Sequence, residues 1–322
     1  QQRGQDGLPR VLYVLHSIYQ GGAEIQLWRR LRLARQYGIQ PVVVVPQAAL
    51  DTEEGQKLKQ TMAQEDLLLE GAIYVCFTEP RSPDEYRSPL EIESLRQVIE
   101  RHKPALVHSV TFIPSLGQIC QELGIPHVNT LYAVQDDFRW NTGQPDFRHC
   151  DLVQSDCWRY ARRWSELLGG VPKICARDMV PEALFEVGQR KAWRDYPHAA
   201  GRPWQLVVTG TFQDRKQQLE TIEALGRLKQ AGVNNFQLSF YGYQQFFPEY
   251  VERCRQAIRR WGLEEQVSIH DFSSDIAGIL SQADILLSLS TYESFPGSIK
   301  DALAAGVLVV ATPVGGIGEV IN

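Results

Sequence analysis

Short, uninterrupted apolar runs recur along the whole chain, separated by segments with the spacing of amphipathic helices. Such strands must be covered on both faces, which calls for a parallel sheet with helices on either side. Residues 11–16, 41–46, 72–77, 105–110, 127–132 and 152–154 read as strands, and helices are predicted over 23–37, 90–102, 114–123 and 158–168. Residues 187–203 break the alternation with Gly, Pro and mixed charge. The first domain is therefore set at 1–187, the linker at 188–203 and the second domain at 204–322. In the second, strands are expected at 205–209, 236–241, 266–270, 284–288 and 307–311. Helices are expected at 215–231, 248–261, 274–281 and 296–305. Two doubly wound α/β domains thus lie in tandem without an internal repeat. Ligands of such sheets lie outside the carboxyl ends of the strands, so a cleft between two such ends is the expected site.

A chain of 322 residues is long enough for two such domains. Its 43% apolar and 22% charged content is that of a globular protein, and a net charge of −5 draws it to no nucleic acid. No apolar run approaches the roughly 18 residues of a membrane span. The opening QQRGQDGLPR has no signal-peptide pattern, and a cytoplasmic location is expected. The sequence starts on Gln rather than Met, as a piece of a longer chain would. Its six cysteines show no C-x-x-C spacing and are expected to be reduced, buried thiols.

Four segments carry chemistry. Gly21 and Gly22, between the first strand and helix, let a ligand approach the backbone at a helix N-terminus, or simply make a tight turn. Gly210 to Lys216 occupy the same position in the second domain. Arg215 and Lys216 at a helix start oppose the dipole, and they make sense if a diphosphate lies between; solvated surface charge is the alternative. Glu293 and Asp301 are eight residues apart on one helix, about 12 Å along its axis, and both can line an elongated cleft. Carboxylates accept from vicinal hydroxyls, and the N–H groups of Ser294 and Phe295 stand at the helix mouth. Pro296 suits the first helical turn. The alternative is a negatively charged helix start with one exposed acid. Gly315 and Gly316, in Thr312-Pro313-Val314-Gly315-Gly316, form a further glycine turn before a helix, with a phosphate contact again expected. Together these suit a ligand with hydroxyls at both ends and phosphate between, which describes a nucleotide-sugar.

No Walker A, G-x-S-x-G, H-E-x-x-H or D-x-D motif occurs, and the seven histidines have no ligand spacing, so no metal or other cofactor is expected. Asp136-Asp137 reads as an exposed loop. Basic-aromatic helices at Trp28-Arg29-Arg30-Leu31-Arg32 and at 158–164 are expected to be solvated faces, the alternatives being peripheral contacts to an anionic membrane or to an acidic acceptor.

These residues resemble the retaining family-4 glycosyltransferases of the GT-B fold, most strongly over 206–319, with Gly21-Gly22-Ala23-Glu24 adding support. The resemblance implies two Rossmann-like doubly wound domains. It also implies a metal-independent enzyme with a nucleotide-diphosphate-sugar donor on the second domain and a glycan, lipid-linked or small-molecule acceptor on the first. Lys216 with Arg215 matches the basic donor-diphosphate residue, and Glu293 matches the first acid of E-x7-E, which contacts the donor sugar. Asp301 falls where the second acid binds ribose. Ser294, Phe295, Pro296 and Gly297 match the donor-sugar loop, and Gly21-Gly22 the loop facing the diphosphate. His108 resembles a strand-end histidine of the acceptor side, and Tyr132 stands where many members carry a functional histidine. Other departures are Asp301 for Glu, Gln217 for a Gly, and Thr211 for an Arg. The resemblance further implies some tens of residues after Asn322, ending in a helix that crosses back to the first domain. A catalytically weak GT-B binding or scaffold module is the other reading these departures allow, and a nucleotide-sugar epimerase a third.

Overall fold

The computed structural model describes residues 7–15, 18, 22–74, 89–110, 113, 115–132, 147–163, 169–177, 179–191 and 201–321. The chain divides into two compact units, Gln1–Met179 and Val180–Asn322.

In the first unit the strands are β1 (Arg10–Leu15), β2 (Gln40–Pro46), β3 (Leu68–Ala72), β4 (Leu106–Val110), β5 (His127–Leu131), β6 (Leu152–Ser155) and β7 (Lys173–Cys175). All pair in parallel, in the order β3-β2-β1-β4-β5-β6-β7. The helices are α1 (Gly22–Ala34), α2 (Gln47–Leu50), α3 (Glu53–Gln64), α4 (Pro89–His102), α5 (Leu116–Leu123) and α6 (Trp158–Arg163). The continuous apolar run of β2 has a direct cause. Val42 and Val44 pack with Leu95, Val98 and Ile99 of α4 and with Ile119 of α5. Val43 and Val45 turn to the other face and pack with Leu27, Trp28 and Leu31 of α1 and Met62 of α3. Successive strand residues point to opposite faces, and here both faces are cores.

The second unit opens with α7 (Glu182–Arg190) and holds β8 (Trp204–Thr209), α8 (Gln218–Gln230), β9 (Phe236–Tyr241) and α9 (Pro248–Arg260). It continues with β10 (Val267–His270), α10 (Ile276–Gln282), β11 (Ile285–Ser288), α11 (Gly297–Ala304) and β12 (Leu308–Ala311). Its parallel sheet runs β10-β9-β8-β11-β12. Phe236, Leu238 and Phe240 of β9 face α8 and α9. Fully burying a side chain like Phe240 is worth about 1.5–3 kcal/mol. On the opposite face, Val207 of β8 and Leu286 of β11 pack with apolar residues of α7, α10 and α11.

The structure departs from the expected elements in several places. The units divide between Met179 and Val180, ahead of the expected linker at 188–203. The reason is α7, whose Leu184 and Val187 belong to the core of the second unit and whose Gly188 abuts the Ala304 carbonyl. The third strand lies at Leu68–Ala72 rather than 72–77, paired to β2, and residues 75–77 fall outside the described residues. Helix α3 escaped the apolar pattern because only Gly55 and Met62 of it are buried; its start is set by Thr52, whose hydroxyl accepts from Gly55 N at 3.0 Å. The expected helix 215–231 is split. Asp214–Lys216 form a 3-10 turn, Gln217 adopts the left-handed conformation (φ 57°, ψ 36°), and α8 starts only at Gln218.

Trp28 is 6% exposed and lies in the core, while Arg29 donates to the Met179 carbonyl and Arg32 pairs with Glu65. The Trp28–Arg32 stretch therefore has no aromatic ring to offer a membrane surface. In α6, Trp158 is exposed, and residues 164–168 lie outside the described set, as do Asp136 and Asp137. Among the described residues no helix is long and apolar enough to cross a membrane.

Candidate active site

The strand order of the second unit reverses between β8 and β11, which are neighbours although the chain passes from one to the other only through β9 and β10. Loops leaving the carboxyl ends of two such strands diverge to opposite sides and leave a crevice at the switch point. The loop after β8 carries Gly210 to Gln217, and the loop after β11 carries Ser290 to Pro296.

Across that crevice Lys216 Nζ meets Glu293 Oε1 at 2.5 Å, and Arg215 Nη1 meets the same oxygen at 3.1 Å. The side chains of Lys216, Arg215 and Glu293 are only 16%, 19% and 8% exposed. Two cations on one carboxylate leave surplus positive charge in a largely dehydrated place. Burial by itself raises the Glu293 carboxyl. The charges of Lys216 and Arg215, with hydrogen bonds from Lys216 and Ser290, outweigh it and hold the group below the usual carboxylate range. Lys216 is lowered, chiefly by burial and secondly by Arg215, against the opposing pull of Glu293. A second anion in this cluster would relieve the lysine, and a diphosphate is such an anion.

The two loops are tied to each other by backbone. Thr291 N–H donates to Arg215 O at 2.8 Å, and the Arg215 guanidinium lies 5.4 Å over the Tyr292 ring. The aliphatic end of Lys216 runs over Gly210, whose φ of 143° disfavours any side chain. The glycine turn after β12 backs the loop that carries Glu293. A Cβ on Gly315 (φ 57°) would stand 2.0 Å from Glu293 O and 2.3 Å from Ser294 O. Gly316 N–H donates to Ser294 O at 2.6 Å, and Thr312 Oγ1 to Ser290 O at 2.5 Å. Gly315 and Gly316, expected at a phosphate, thus buttress the Glu293 loop, since the Gly316 N–H is already engaged. The chain then enters a 3-10 turn, Ile317–Glu319, rather than a helix start of useful length.

The structure therefore joins Glu293, Lys216, Arg215 and Gly210 into one cluster. It also places Arg215 and Lys216 on the turn ahead of α8 rather than in its first helical turn. Ser294, Phe295 and Pro296 are buried beside the cluster. Pro296 is the N-cap of α11 and Gly297 its first residue. The Phe295 ring lies 4.6 Å from Lys300 Nζ. Asp301 is 5% exposed, among the buried residues of α11 with Ile299, Lys300 and Ala302, whereas Glu293 lies in the loop ahead of that helix rather than on one helix with it as expected. Ser290, Tyr292 and Gly242 belong to the same construction but have no sequence signature, and Thr312 and Thr291 join it through bonds that their sequence context does not announce. Gly242 is revealed only by packing, since a Cβ there would lie 2.0 Å from Gly210 O.

In the first unit, Gly22 is the exposed first residue of α1, and Gly21 lies outside the described residues. His108 is not at a strand end. It sits mid-β4 opposite Tyr13 and Val128, 8% exposed, with Nε2 2.6 Å from Thr130 Oγ1. Burial, then the Arg30 and His127 charges, push it down to about 3, so its ring is neutral. Tyr132 packs against the α1-side core. Beside His108 in β4, Ser109 Oγ contacts His127 Nε2 at 2.9 Å and accepts from Asn129 Nδ2 at 2.6 Å, a buried polar network invisible in the sequence.

Comparison with known proteins meets this geometry in the second unit. Residues 203–322 match the family model of the glycosyl transferases group 1. A curated relative is the putative colanic acid biosynthesis glycosyltransferase WcaL of Escherichia coli (strain K12). It is 26% identical over 187 residues, which is 55% of this chain and 43% of that protein. The chain thus spans less than half the length of this relative. Among solved structures, a glycosyltransferase from Rickettsia africae ESF-5 superposes with a TM-score of 0.72 at 17% identity, covering 98% of this chain and 82% of that one. Anabaena Alr3699/HepE, solved in complex with UDP-glucose, gives 0.71 at 19%, covering 98% and 83%. The fold is that of the GT-B glycosyltransferases, two parallel α/β sheets in tandem.

Proposed function

We propose that the chain is a glycosyltransferase that moves a sugar from a nucleotide-diphosphate-sugar to an acceptor hydroxyl, without a metal and with retention at the anomeric carbon. The observation that carries this reading is the Lys216–Glu293–Arg215 cluster at the switch point of the second sheet, inside the segment that matches the family model. Support also comes from a similar fold solved with UDP-glucose bound.

In the reaction, the bond between the anomeric carbon and the phosphate oxygen breaks and its electron pair leaves with the nucleoside diphosphate. The acceptor oxygen bonds to that carbon on the face just vacated, and its proton passes to the departing phosphate. Charge grows on that phosphate as the bond lengthens, and Lys216 and Arg215 are fixed cations aimed at it. Glu293 orients the donor sugar and opposes the positive charge at the anomeric carbon. A role in glycan or polysaccharide synthesis accompanies this reading, with a glycan, lipid-linked or small-molecule acceptor.

Calorimetry and nucleotide release with UDP-, GDP- and ADP-sugars test it. Lys216→Ala is expected to cost at least about tenfold in turnover, the loss of one charge contact of some 1.4 kcal/mol. An unchanged rate removes Lys216 from the site. Failure of every donor to bind sinks the transferase reading. Donor binding without turnover, across a broad acceptor panel, would instead favour a scaffold.

A further inference from the structure

Arg215 is held at three points by the loop that follows β11. Its carbonyl oxygen accepts from Thr291 N–H at 2.8 Å. Its Nη1 donates to Glu293 Oε1 at 3.1 Å and to the Tyr292 carbonyl at 3.4 Å. Its guanidinium carbon lies 5.4 Å from the centroid of the Tyr292 ring, within reach of cation–π attraction. Tyr292 is 38% exposed and belongs to neither apolar core of the second unit. A ring left this open gains little from burial, so its contact with Arg215 is not a by-product of core packing.

The hydrogen bonds use one corner of the guanidinium. The group is a planar fork, and its side edge, Nε with Nη2, presents two N–H donors together. Neither nitrogen has a hydrogen-bond partner among the described residues. Two oxygens of one phosphate fit such an edge as a fork-to-fork pair. Phosphate also suits the charge balance, since Lys216 and Arg215 share a single carboxylate. The two cations differ in what they require. The lysine ammonium is a point charge that serves a phosphate from many directions, whereas a fork has to be aimed. Arginine has a long, rotamer-rich side chain, and a ligand that had to order it would bind more weakly for that reason.

We infer that Tyr292 is a positioning residue: with Glu293 it holds the Arg215 guanidinium so that the Nε–Nη2 edge takes two oxygens of one donor phosphate. This rests on the nucleotide-sugar reading above. Tyr292 acts through Arg215 rather than on the reacting atoms, and its contribution is therefore made to any ligand that carries the phosphates, whatever its base or sugar.

The test measures binding of inorganic pyrophosphate and of UDP, GDP and ADP at low salt, where weakened variants stay measurable. Tyr292→Leu removes the π-face and keeps apolar bulk. It is expected to weaken pyrophosphate and the nucleoside diphosphates by a common factor, roughly 2- to 30-fold, while Tyr292→Phe retains the affinity. Arg215→Lys keeps the charge and loses the fork, and is expected to cost about tenfold or more. In a double-mutant cycle, Tyr292→Leu should have no further effect once Arg215→Ala is present. Wild-type affinity in Tyr292→Leu overturns the inference. An equal Tyr292→Leu loss with and without Arg215 also overturns it, because the ring then acts independently of the guanidinium. Tyr292→Phe as weak as Tyr292→Leu overturns the cation–π account, and Arg215→Lys as tight as the wild type overturns the bidentate edge. Where Arg215→Ala leaves binding intact and Lys216→Ala weakens it, the inference fails and the donor reading stands. A wild type that binds none of these ligands removes the donor reading, and the inference with it.

Discussion

Replacing Glu293 by Gln keeps the shape of the side chain and deletes its charge, leaving Lys216 and Arg215 as neighbouring cations with no carboxylate between them. Both are less than a fifth exposed, so solvent screens them little. Removing one partner of a buried pair costs about 3–5 kcal/mol, mostly as the penalty for the charge left behind. Here the Gln oxygen still accepts one hydrogen bond and the cations keep some solvent contact, which places the expected loss near the lower end, about 3 kcal/mol. The same change opens the place that an anion would take. Pyrophosphate should therefore bind Glu293→Gln more tightly than the wild type, and at about a hundredfold excess over its Kd should restore about 2.7 kcal/mol. Urea unfolding with and without pyrophosphate reads both effects as midpoint shifts at constant slope. A variant as stable as the wild type, or equal stabilisation of the two proteins by pyrophosphate, refutes the strained-cation account of this cluster.

Acidification gives another test, in the first unit. Burial pushes His127 down to about 4 and His108 to about 3, whereas an unfolded histidine takes up its proton near 6.5. Between those values the unfolded state binds more protons, so stability falls as the pH drops from about 6.5 and levels off below the folded pKa. Each histidine contributes about 1.4 kcal/mol per pH unit. His127→Gln should flatten the dependence of unfolding free energy on pH between about 5 and 6 by about one proton, and coincident slopes would dismiss the assignment. Gln217, left-handed at φ 57° between the cation-bearing turn and α8, is the position where a glycine is sterically at ease. Gln217→Gly is expected to raise the unfolding free energy by up to about 1 kcal/mol, read from urea midpoints, and a loss of stability would show that the Gln side chain matters more than its backbone.

Much of the architecture was legible in the residues. The valines of β2 and the apolar runs of β8 and β11 announce strands covered on both faces, and the expected strand 236–241 matches β9 to the residue. Polar α3 and the short β7 were not legible. The first presents little apolar surface and the second is three residues long. In the site, Lys216, Arg215 and Glu293 stood out separately as charges at loop ends. Their convergence on one carboxylate oxygen, across 77 and 78 residues of sequence, did not.

Periodicity and turn residues act over a few positions, and from them the chain itself determined two parallel α/β domains and charged groups at their loop ends. Which loops face each other depends on strand order. Only the tertiary structure set β8 beside β11, engaged the Gly316 N–H with Ser294, sank His108 into mid-sheet and brought Arg215 onto Tyr292. Each of these joins residues far apart in sequence through packing and hydrogen bonds, which no local pattern encodes.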